Sequence, residues 1–383
     1  MKGRYKEEMA ELQTSGAWRY IRDLVHKGKY VIEGGARMLN LSSNDYLGIT
    51  SRSDMAEAFY AQLNGEEVLL GSSSSRLLTG NCAAYERLEH RLAQLFGRET
   101  ALIYNSGYHL NTGVLPALSD EHTLVVADRL VHASIIDGIR LSGRPFERFR
   151  HNDLEHLERI IRKKQDAYSR IIVMVESLYS MDGDLADLHG LCALKERYPI
   201  IELYVDEAHA IGVRGETGLG MVEETGTTRQ IDYIVGTFGK AIGSMGAYIV
   251  CDADVRELLV NRSRSLIFST ALPPVSVAWT DFVMSRIAAM TAERARLAAV
   301  SAILRKAIAD AGGEMPSESH IVPFMVGENA PCIELAESLR RAGFFALPIR
   351  HPTVPEHTAR IRFSLSSAID EEEVCRLINL LPL

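Results

Sequence analysis

Short apolar runs, separated by stretches with helical periodicity, dominate the sequence between residues 85 and 252. The runs occupy residues 101–104, 123–127, 171–176, 203–206, 233–235 and 247–251. Strands that are apolar on both faces must be covered on both sides, as happens when helices connect parallel strands. This pattern predicts an α/β fold with a mostly parallel central sheet. In such sheets ligands bind beyond the carboxyl ends of the strands.

The pattern changes in the last third of the chain, and this change predicts a second domain. A helical stretch over 274–311 is followed by a strand pattern at 321–326, and the final helix begins at Asp370 with Glu373 in a capping box. A chain of 383 residues is also longer than a typical single domain. We therefore expect an N-terminal helix and arm over residues 1–45, a large domain over 46–280 and a small α+β domain over 281–383.

Composition and charge argue against several classes of partner. The formal net charge of −8 disfavours nucleic acid and acidic membrane surfaces. The five cysteines are dispersed and form no Cys-x-x-Cys pair, which argues against a metal cluster or a disulfide framework and fits a reducing compartment. The N-terminus is charged, and no apolar run reaches membrane-spanning length. We therefore expect a cytoplasmic protein with neither a membrane segment nor a metal site.

One lysine stands in a glycine-rich segment directly after the apolar run 233–235. Lys240 is surrounded by glycines at positions 236, 239, 243 and 246. Glycines let the backbone bend sharply and let a ligand lie close to it. A lysine held in such a bend can be partly desolvated, which favours the neutral amine that forms a Schiff base. For this segment alone, a lysine on a surface turn is the alternative interpretation.

An aspartate, Asp206, ends another apolar run and begins the sequence Asp-Glu-Ala-His. Helicase-type NTPases carry this sequence, but they also need a Gly-x-x-x-x-Gly-Lys-Ser/Thr loop. Here position 234 is Ile and Ala241 follows Lys240, so the NTPase interpretation is disfavoured. Pyridoxal phosphate instead requires a lysine for its aldehyde and a carboxylate facing its ring nitrogen. Lys240 and Asp206 can supply these groups, although a helix N-cap is the alternative for Asp206 taken alone.

Two further segments offer groups for such a cofactor. Gly107 and Tyr108 follow a strand and open a helix, where free amides and the positive end of the helix dipole favour a phosphate group. Thr237 can add a hydroxyl. His132 opens another helix, and its imidazole can lie flat on the cofactor ring. Taken singly, these residues also suit an ordinary strand-to-helix turn, a solvated turn residue and a structural histidine.

These residues belong to a set of motifs that spans nearly the whole chain. The motifs lie at residues 43–48 (Ser-Asn-Asp-Tyr-Leu-Gly), 106–111, 128–134, 176–184, 205–209, 212–220, 237–240 (Thr-Phe-Gly-Lys) and 269–274. In this order the set resembles the α-oxoamine synthases, pyridoxal-phosphate enzymes with the aspartate aminotransferase fold, also called fold type I. The stretch 348–365 resembles the biotin-pathway branch of that family, which joins L-alanine to a pimeloyl thioester.

The resemblance implies a role for each residue that matches a family motif. Lys240 is the implied Schiff-base lysine, Asp206 pairs with the ring nitrogen and His132 stacks on the ring. The other implied contacts to pyridoxal 5'-phosphate come from His209, Ser180, Gly107, Tyr108, Thr237 and Thr270. The implied substrate contacts come from Arg362 on the alanine carboxylate and from Asn44, Arg19 and Thr353. Thr270 is implied to reach the phosphate in the partner subunit, so a homodimer with shared active sites is expected.

Two rival functions remain open at this point. Sister enzymes of the family use glycine with acetyl-CoA, or serine with a long acyl chain. A non-catalytic partner subunit is a rival of another class. Such a subunit is expected to lack the Schiff-base lysine, so the presence of Lys240 argues against it. Whether the acyl carrier is coenzyme A or a carrier protein is left open by the sequence.

Overall fold

The structure is a computed structural model that describes residues 2–15, 18–63 and 65–383. Its strands are β1 (Val25–Lys27), β2 (Tyr30–Glu33), β3 (Ala36–Asn40), β4 (Thr100–Tyr104), β5 (Thr123–Asp128), β6 (Phe146–Phe149), β7 (Arg170–Glu176), β8 (Ile201–Asp206), β9 (Tyr233–Thr237), β10 (Ala247–Cys251), β11 (Ile321–Gly327), β12 (Phe344–Phe345), β13 (Pro348–Ile349) and β14 (Ala359–Ser364). Residues 1, 16 and 17 of the expected N-terminal helix and arm, and residue 64 of the expected large domain, lie outside the described residues.

The helices connect most of these strands. They are α1 (Lys2–Thr14), α2 (Ser53–Gln62), α3 (Ala83–Phe96), α4 (Gly107–Leu118), α5 (Ala133–Ser142), α6 (Leu154–Lys164), α7 (Leu188–Arg197), α8 (Met221–Glu224), α9 (Ala253–Arg262), α10 (Arg264–Ile267), α11 (Pro274–Met284), α12 (Thr291–Asp310), α13 (Asn329–Arg341) and α14 (Glu371–Ile378). The chain divides into a large unit, Arg52–Ser180 with Leu185–Arg294, and a small unit, Met1–Ser51 with Met181–Asp184 and Ala295–Leu383.

The large unit is built on a seven-stranded sheet with the order β4-β10-β9-β8-β7-β5-β6. The strands from β9 to β6 are parallel to their neighbours, whereas β10 runs antiparallel to both β9 and β4. The predicted α/β fold with a mostly parallel central sheet is therefore confirmed. The apolar runs of the sequence account for its strands except β6, where exposed and buried residues alternate and no apolar run marks the strand.

Helices α4 and α5 pack on one face of this sheet and hold the backbone near the strand ends. Leu110, Val114 and Leu118 of α4 and Ile135 and Ile139 of α5 are buried in one apolar cluster with the strands. Gly138 lets the two helices approach closely, because a Cβ atom added there would lie 2.3 Å from the carbonyl oxygen of Asn111. This close contact fixes the part of α4 that carries Asn111.

The small unit contains two short sheets. The order β1-β2-β3-β12 forms one sheet, in which β12 is parallel to β3, and β11-β14-β13 forms an antiparallel sheet. Val31, Met38 and Phe345 pack in a buried cluster of this unit. The predicted capping box of the final helix is confirmed, because Asp370 accepts the backbone N–H of Glu373 and the Glu373 side chain accepts that of Asp370. The small α+β domain of the prediction thus has its expected types of element.

The helical stretch predicted over 274–311 is interrupted in the structure. Helix α11 ends at Met284, a short 3₁₀ turn covers Ile287–Ala289, and α12 begins at Thr291. The backbone N–H of Arg286 bonds the carbonyl of Val283, an i→i+3 contact that tightens the chain and ends the first helix. Among the described residues, no helix combines the length and apolarity needed to cross a membrane.

Gly138→Ala is expected to destabilise the large unit. The added methyl group would clash with the Asn111 backbone, and overpacking of this kind costs about 3 kcal/mol. Urea unfolding should show that loss. Gly3→Ala in α1 is the matched control, since an added Cβ there meets nothing within 4 Å. Equal unfolding curves for the wild type and Gly138→Ala would contradict the proposed close contact.

Candidate active site

The carboxyl ends of neighbouring parallel strands bring polar residues to one edge of the large sheet. Strand β7 ends at Glu176 and β8 ends at Asp206, and these two residues are Cα partners in the sheet. Partners in parallel strands point their side chains to the same face. Strand β9 ends nearby at Thr237, and the chain then turns through the segment that holds Lys240. The predicted location of the site at the carboxyl ends of the strands thus corresponds to a real concentration of polar groups.

A cavity of about 180 Å³ lies at this edge within the large unit. The predicted site residues that line it are Gly107, Tyr108, His132, Asp206, His209, Thr237 and Lys240. Three polar residues that were not predicted as site residues, Asn111, Ser134 and Glu176, line it as well. The fold therefore brings together residues that are more than one hundred positions apart in the sequence.

Lys240 is presented by a tight loop between β9 and β10. The loop closes with a hydrogen bond from the Phe238 N–H to the Gly246 carbonyl at 2.9 Å, and Gly246 has a φ of 108°. A φ in this region favours glycine, which explains one of the glycines around the lysine. The Nζ atom of Lys240 lies 2.7 Å from Nε2 of His209. The amine is thereby held at a fixed point in the cavity by an imidazole from the loop after β8.

Asp206 is buried and is held by nitrogen donors on both carboxylate oxygens. Its Oδ1 accepts the backbone N–H of Ala208 at 2.9 Å, and its Oδ2 accepts the Asn111 amide at 3.2 Å. Asn111 is itself oriented, since its Oδ1 accepts the hydroxyl of Tyr204 at 2.5 Å and its Nδ2 donates to Ser134 at 2.9 Å. Hydrogen bonds to the charged form stabilise a buried carboxylate. The site therefore contains a fixed negative charge at the end of β8.

His132 caps α5 and faces the same cavity. Its Nδ1 accepts the backbone N–H of Ser134 at 3.2 Å and lies 2.7 Å from the Ser134 hydroxyl. Burial lowers the pKa of His132; the charge of Lys240 acts in the same direction, and that of Asp206 opposes it. The imidazole is therefore neutral at pH 7 and has its ring plane fixed by the cap.

Glu176 is a second buried carboxyl in the cavity. Burial and, after it, the neighbouring charge of Asp206 raise the pKa of Glu176 to about 8, while the charge of Lys240 opposes the shift. Two carboxyls on adjacent strands cannot both ionise cheaply at low dielectric. Glu176 is therefore protonated at pH 7, beside an Asp206 whose two oxygens are both supplied with N–H donors.

The first turn of α4 supplies backbone amides to the cavity. Ser106 is the N-cap and accepts the backbone N–H of His109, and Gly107 and Tyr108 follow it. The first amides of a helix have no partner within the helix and attract anions. Thr237 also belongs to the cavity lining, and its hydroxyl donates to the Gly246 carbonyl at 3.0 Å. Together these groups form a candidate site for an anionic group.

Two predicted cofactor contacts occupy other positions in the large unit. Ser180 is buried, and its backbone N–H bonds the carboxyl of Glu176. Thr270 forms an isolated bridge with Ser75, and its carbonyl accepts the side-chain amide of Asn105 at 2.7 Å. Among the described residues of this chain, neither side chain belongs to the lining of the cavity.

The predicted substrate contacts lie in the small unit and form two pairs. Arg362 on β14 donates from Nη1 to Ser364 at 2.6 Å and to Asn44 Oδ1 at 3.4 Å. Arg19 donates from Nη2 to the hydroxyl of Thr353 at 2.7 Å. The second pair lines a cavity of about 480 Å³ that also contains apolar side chains such as Leu347. In the small unit, each predicted arginine is therefore hydrogen-bonded to a predicted polar residue, Arg362 to Asn44 and Arg19 to Thr353.

Asn111, Ser134 and Glu176 are the polar residues of the cavity lining that sequence reasoning missed. Glu176 ends an apolar run as Asp206 does, so the same signal was available for it. Asn111 lies in the middle of α4, and only the packing of α4 against the strands brings it to Asp206. The complete site offers an amine, a charged carboxylate and helix amides, which together can bind an electrophilic carbon, a cationic ring and an anionic group.

Comparison with known proteins finds relatives over nearly the full chain. A protein of Pasteurella multocida, named "putative 8-amino-7-oxononanoate synthase", is 54% identical over 98% of this chain and 97% of its own length. A protein of Glaesserella parasuis with the same name is 50% identical over 99% of this chain and its own full length. Among solved structures, a serine palmitoyltransferase from S. paucimobilis with a bound PLP–myriocin aldimine superposes with a TM-score of 0.90. It is 26% identical, with 98% of this chain and 95% of that chain covered.

The structural superposition and the family match both agree with the fold predicted from the sequence. The serine palmitoyltransferase superposition supports the predicted fold type I architecture, with a mostly parallel central sheet in the large unit and small sheets in the other. Residues 36–381 match the family described as aminotransferase class I and II. Because this match covers nearly the whole sequence, the chain belongs to the aminotransferase class I and II family.

Proposed function

We propose that this protein is a pyridoxal-phosphate-dependent α-oxoamine synthase. It condenses L-alanine with a pimeloyl thioester, releasing carbon dioxide and the thiol carrier, and forms 8-amino-7-oxononanoate for biotin biosynthesis. The observation that carries the proposal is the cavity in which the Lys240 amine shares its lining with the buried carboxylate of Asp206. The two relatives that are about half identical to this chain support the choice of substrates.

The residues of the cavity fit pyridoxal 5'-phosphate. The carboxylate of Asp206 is fixed by two N–H donors and would face the protonated ring nitrogen. The amides of Gly107 and Tyr108 would hold the phosphate, and the hydroxyl of Thr237 would turn from the Gly246 carbonyl to donate to it. A Cβ added at Gly107 would have Thr237 at 3.8 Å as its nearest neighbour, so the helix start leaves room there. When bound, the cofactor supplies a ring that accepts the electrons released at the amino acid's Cα.

The side chains around the cavity bind, orient and move the proton. Lys240 Nζ would hold the cofactor and afterwards carry the proton taken from the alanine Cα. His209, at 2.7 Å, keeps Nζ in place. His132 would lie against the ring as a neutral imidazole. It therefore adds no second positive charge that would compete with the ring nitrogen for Asp206. Groups that are already fixed in this way lower the activation barrier, because the protein does not have to rearrange them during the reaction.

The small unit would supply the contacts to the two substrates. Arg362, with Asn44 beside it, would bind the alanine carboxylate through the planar fork of the guanidinium. Arg19 and Thr353 would bind the acyl substrate, since they line the larger, partly apolar cavity of that unit. An arginine on an apolar wall suits an acyl chain that ends in a carboxylate, as a pimeloyl chain does.

Two predicted cofactor contacts, Thr270 and Ser180, lie outside the cavity lining. The resemblance to the α-oxoamine synthases implies that Thr270 would reach the cofactor phosphate in the partner subunit of a homodimer; in its own chain Thr270 is not among the residues that line the cavity. Ser180 would act near the ring oxygen, and its backbone already bonds Glu176 beside the cavity. The proposed enzyme works in the cytoplasm on small-molecule substrates.

A substrate panel tests this function directly. The protein, saturated with pyridoxal phosphate, is assayed with alanine, glycine and serine against pimeloyl, acetyl and palmitoyl thioesters. We expect carbon dioxide release to be highest for alanine with the pimeloyl thioester, and the amino ketone to be identified by mass spectrometry. The serine palmitoyltransferase superposition favours one specific rival. Preferred turnover of serine with the palmitoyl thioester would replace the proposed function by that of a sphingolipid-type synthase.

Arg362→Lys is expected to weaken alanine binding while leaving the charge in place. A charge-assisted hydrogen bond contributes about 1.5–3 kcal/mol, so losing one arm of the two-point contact should raise the KM for alanine roughly ten- to a hundredfold. The KM for the thioester should stay the same. Arg341→Lys on α13, an exposed arginine of the same unit, is the control. An unchanged alanine KM in Arg362→Lys would remove this residue from the proposed site.

A further inference from the structure

Glu176 is the one carboxyl of the cavity lining, among the described residues, to which the proposed function assigns no task. It ends β7 beside Asp206 and lines the same cavity as Lys240. Its side chain is 2% exposed, so water does not solvate it. A buried carboxyl at such a position needs hydrogen bonds or a proton to be tolerated.

Only one of the two carboxyl oxygens of Glu176 has hydrogen-bond partners among the described residues. The group accepts the backbone N–H of His132 and that of Ser180. Its Oε1 atom is buried and has no hydrogen-bond partner among the described residues. Leaving a buried polar atom without a partner costs about 1–3 kcal/mol, and native proteins rarely tolerate this without a reason. Because Glu176 lines the cavity, a ligand in that cavity can supply the missing partner.

The charges around Glu176 decide whether Oε1 can donate or only accept. Asp206 lies beside it on β8, and Lys240, His132 and His209 line the same cavity. Burial raises the pKa of Glu176 to about 8, with the Asp206 charge in the same direction and the Lys240 charge against it. A carboxyl with this pKa carries its proton at pH 7 and is then a hydrogen-bond donor.

We propose that Glu176 is a neutral hydrogen-bond donor of this cavity: its Oε1–H group donates a hydrogen bond to a ligand oxygen, while its other oxygen accepts the backbone N–H groups of His132 and Ser180. The acceptor is an anionic oxygen, either the phenolic oxygen of the cofactor ring or a carboxylate oxygen of the amino acid. This proposal rests on the proposed function, since that function supplies both ligands. Ionised Glu176 would repel either oxygen, so binding weakens when the proton is lost.

Glu176→Gln tests the proposal, because glutamine keeps the shape and an N–H donor but cannot ionise. The dissociation constant of pyridoxal phosphate is measured on the cofactor-free protein by fluorescence, and that of alanine on the loaded protein by absorbance, each from pH 6 to 9.5. For one of the two ligands the wild type should lose about tenfold in affinity between pH 7 and 9.5. Glu176→Gln should bind within about threefold of the wild type at pH 7 and lack that loss.

Infrared spectroscopy of the cofactor-free protein gives a readout that needs no ligand. The difference spectrum between wild type and Glu176→Gln at pH 7 should contain the carbonyl stretch of a protonated carboxylic acid. This band should disappear as the pH rises through about 8. A spectrum that shows an ionised carboxylate at pH 7 would overturn the proposal.

Glu207→Gln is the matched control. Glu207 is also fully buried and burial raises its pKa to about 7, but its oxygens accept hydrogen bonds from Ser177, Met221 and Val222. Its ligand-binding profile should follow that of the wild type. Superimposable pH profiles for the wild type and Glu176→Gln would overturn this proposal alone, whereas failure of the wild type to bind pyridoxal phosphate would overturn the proposed function with it.

Discussion

The buried side-by-side placement of Asp206 and Glu176 is the constraint on which the rest of the site depends. Adjacent parallel strands end at these residues, and both residues are buried. Asp206 receives N–H donors on both oxygens, whereas burial raises the pKa of Glu176 to about 8, so Glu176 retains a proton at pH 7. One negative charge thus remains in the cavity, opposite one amine. The cofactor that matches this pattern has a cationic ring and an aldehyde.

The topology of the large sheet explains how such distant residues meet. Strands β5, β7, β8 and β9 are parallel, so their carboxyl ends and the following loops lie along the same edge. Asp206 ends one of these strands, and His132 and Lys240 each lie in the segment that follows one. The antiparallel strand β10 lies beside β9 and returns the chain after the Lys240 loop, which is why this loop is short and rich in glycine.

The sequence predicted the parts of the site that follow from strand ends. Lys240 and Asp206 each stand at the end of an apolar run, and both line the cavity. Asn111 could not be predicted in this way, because its role depends on how closely α5 and Gly138 press α4 against the strands. Strand β6 was missed for a related reason, since a half-exposed edge strand carries no apolar run. Motif matching named residues such as Thr270 whose proposed role depends on a second copy of the chain.

The central claim is that the Lys240 amine holds pyridoxal phosphate, and chemical trapping of that linkage tests it most directly. The loaded protein is reduced with borohydride, digested and analysed by mass spectrometry. The account predicts a stable phosphopyridoxyl group on the peptide that contains Lys240, and none on that peptide in Lys240→Ala. Labelling of a different lysine in the wild type, or no labelling at all, would contradict it.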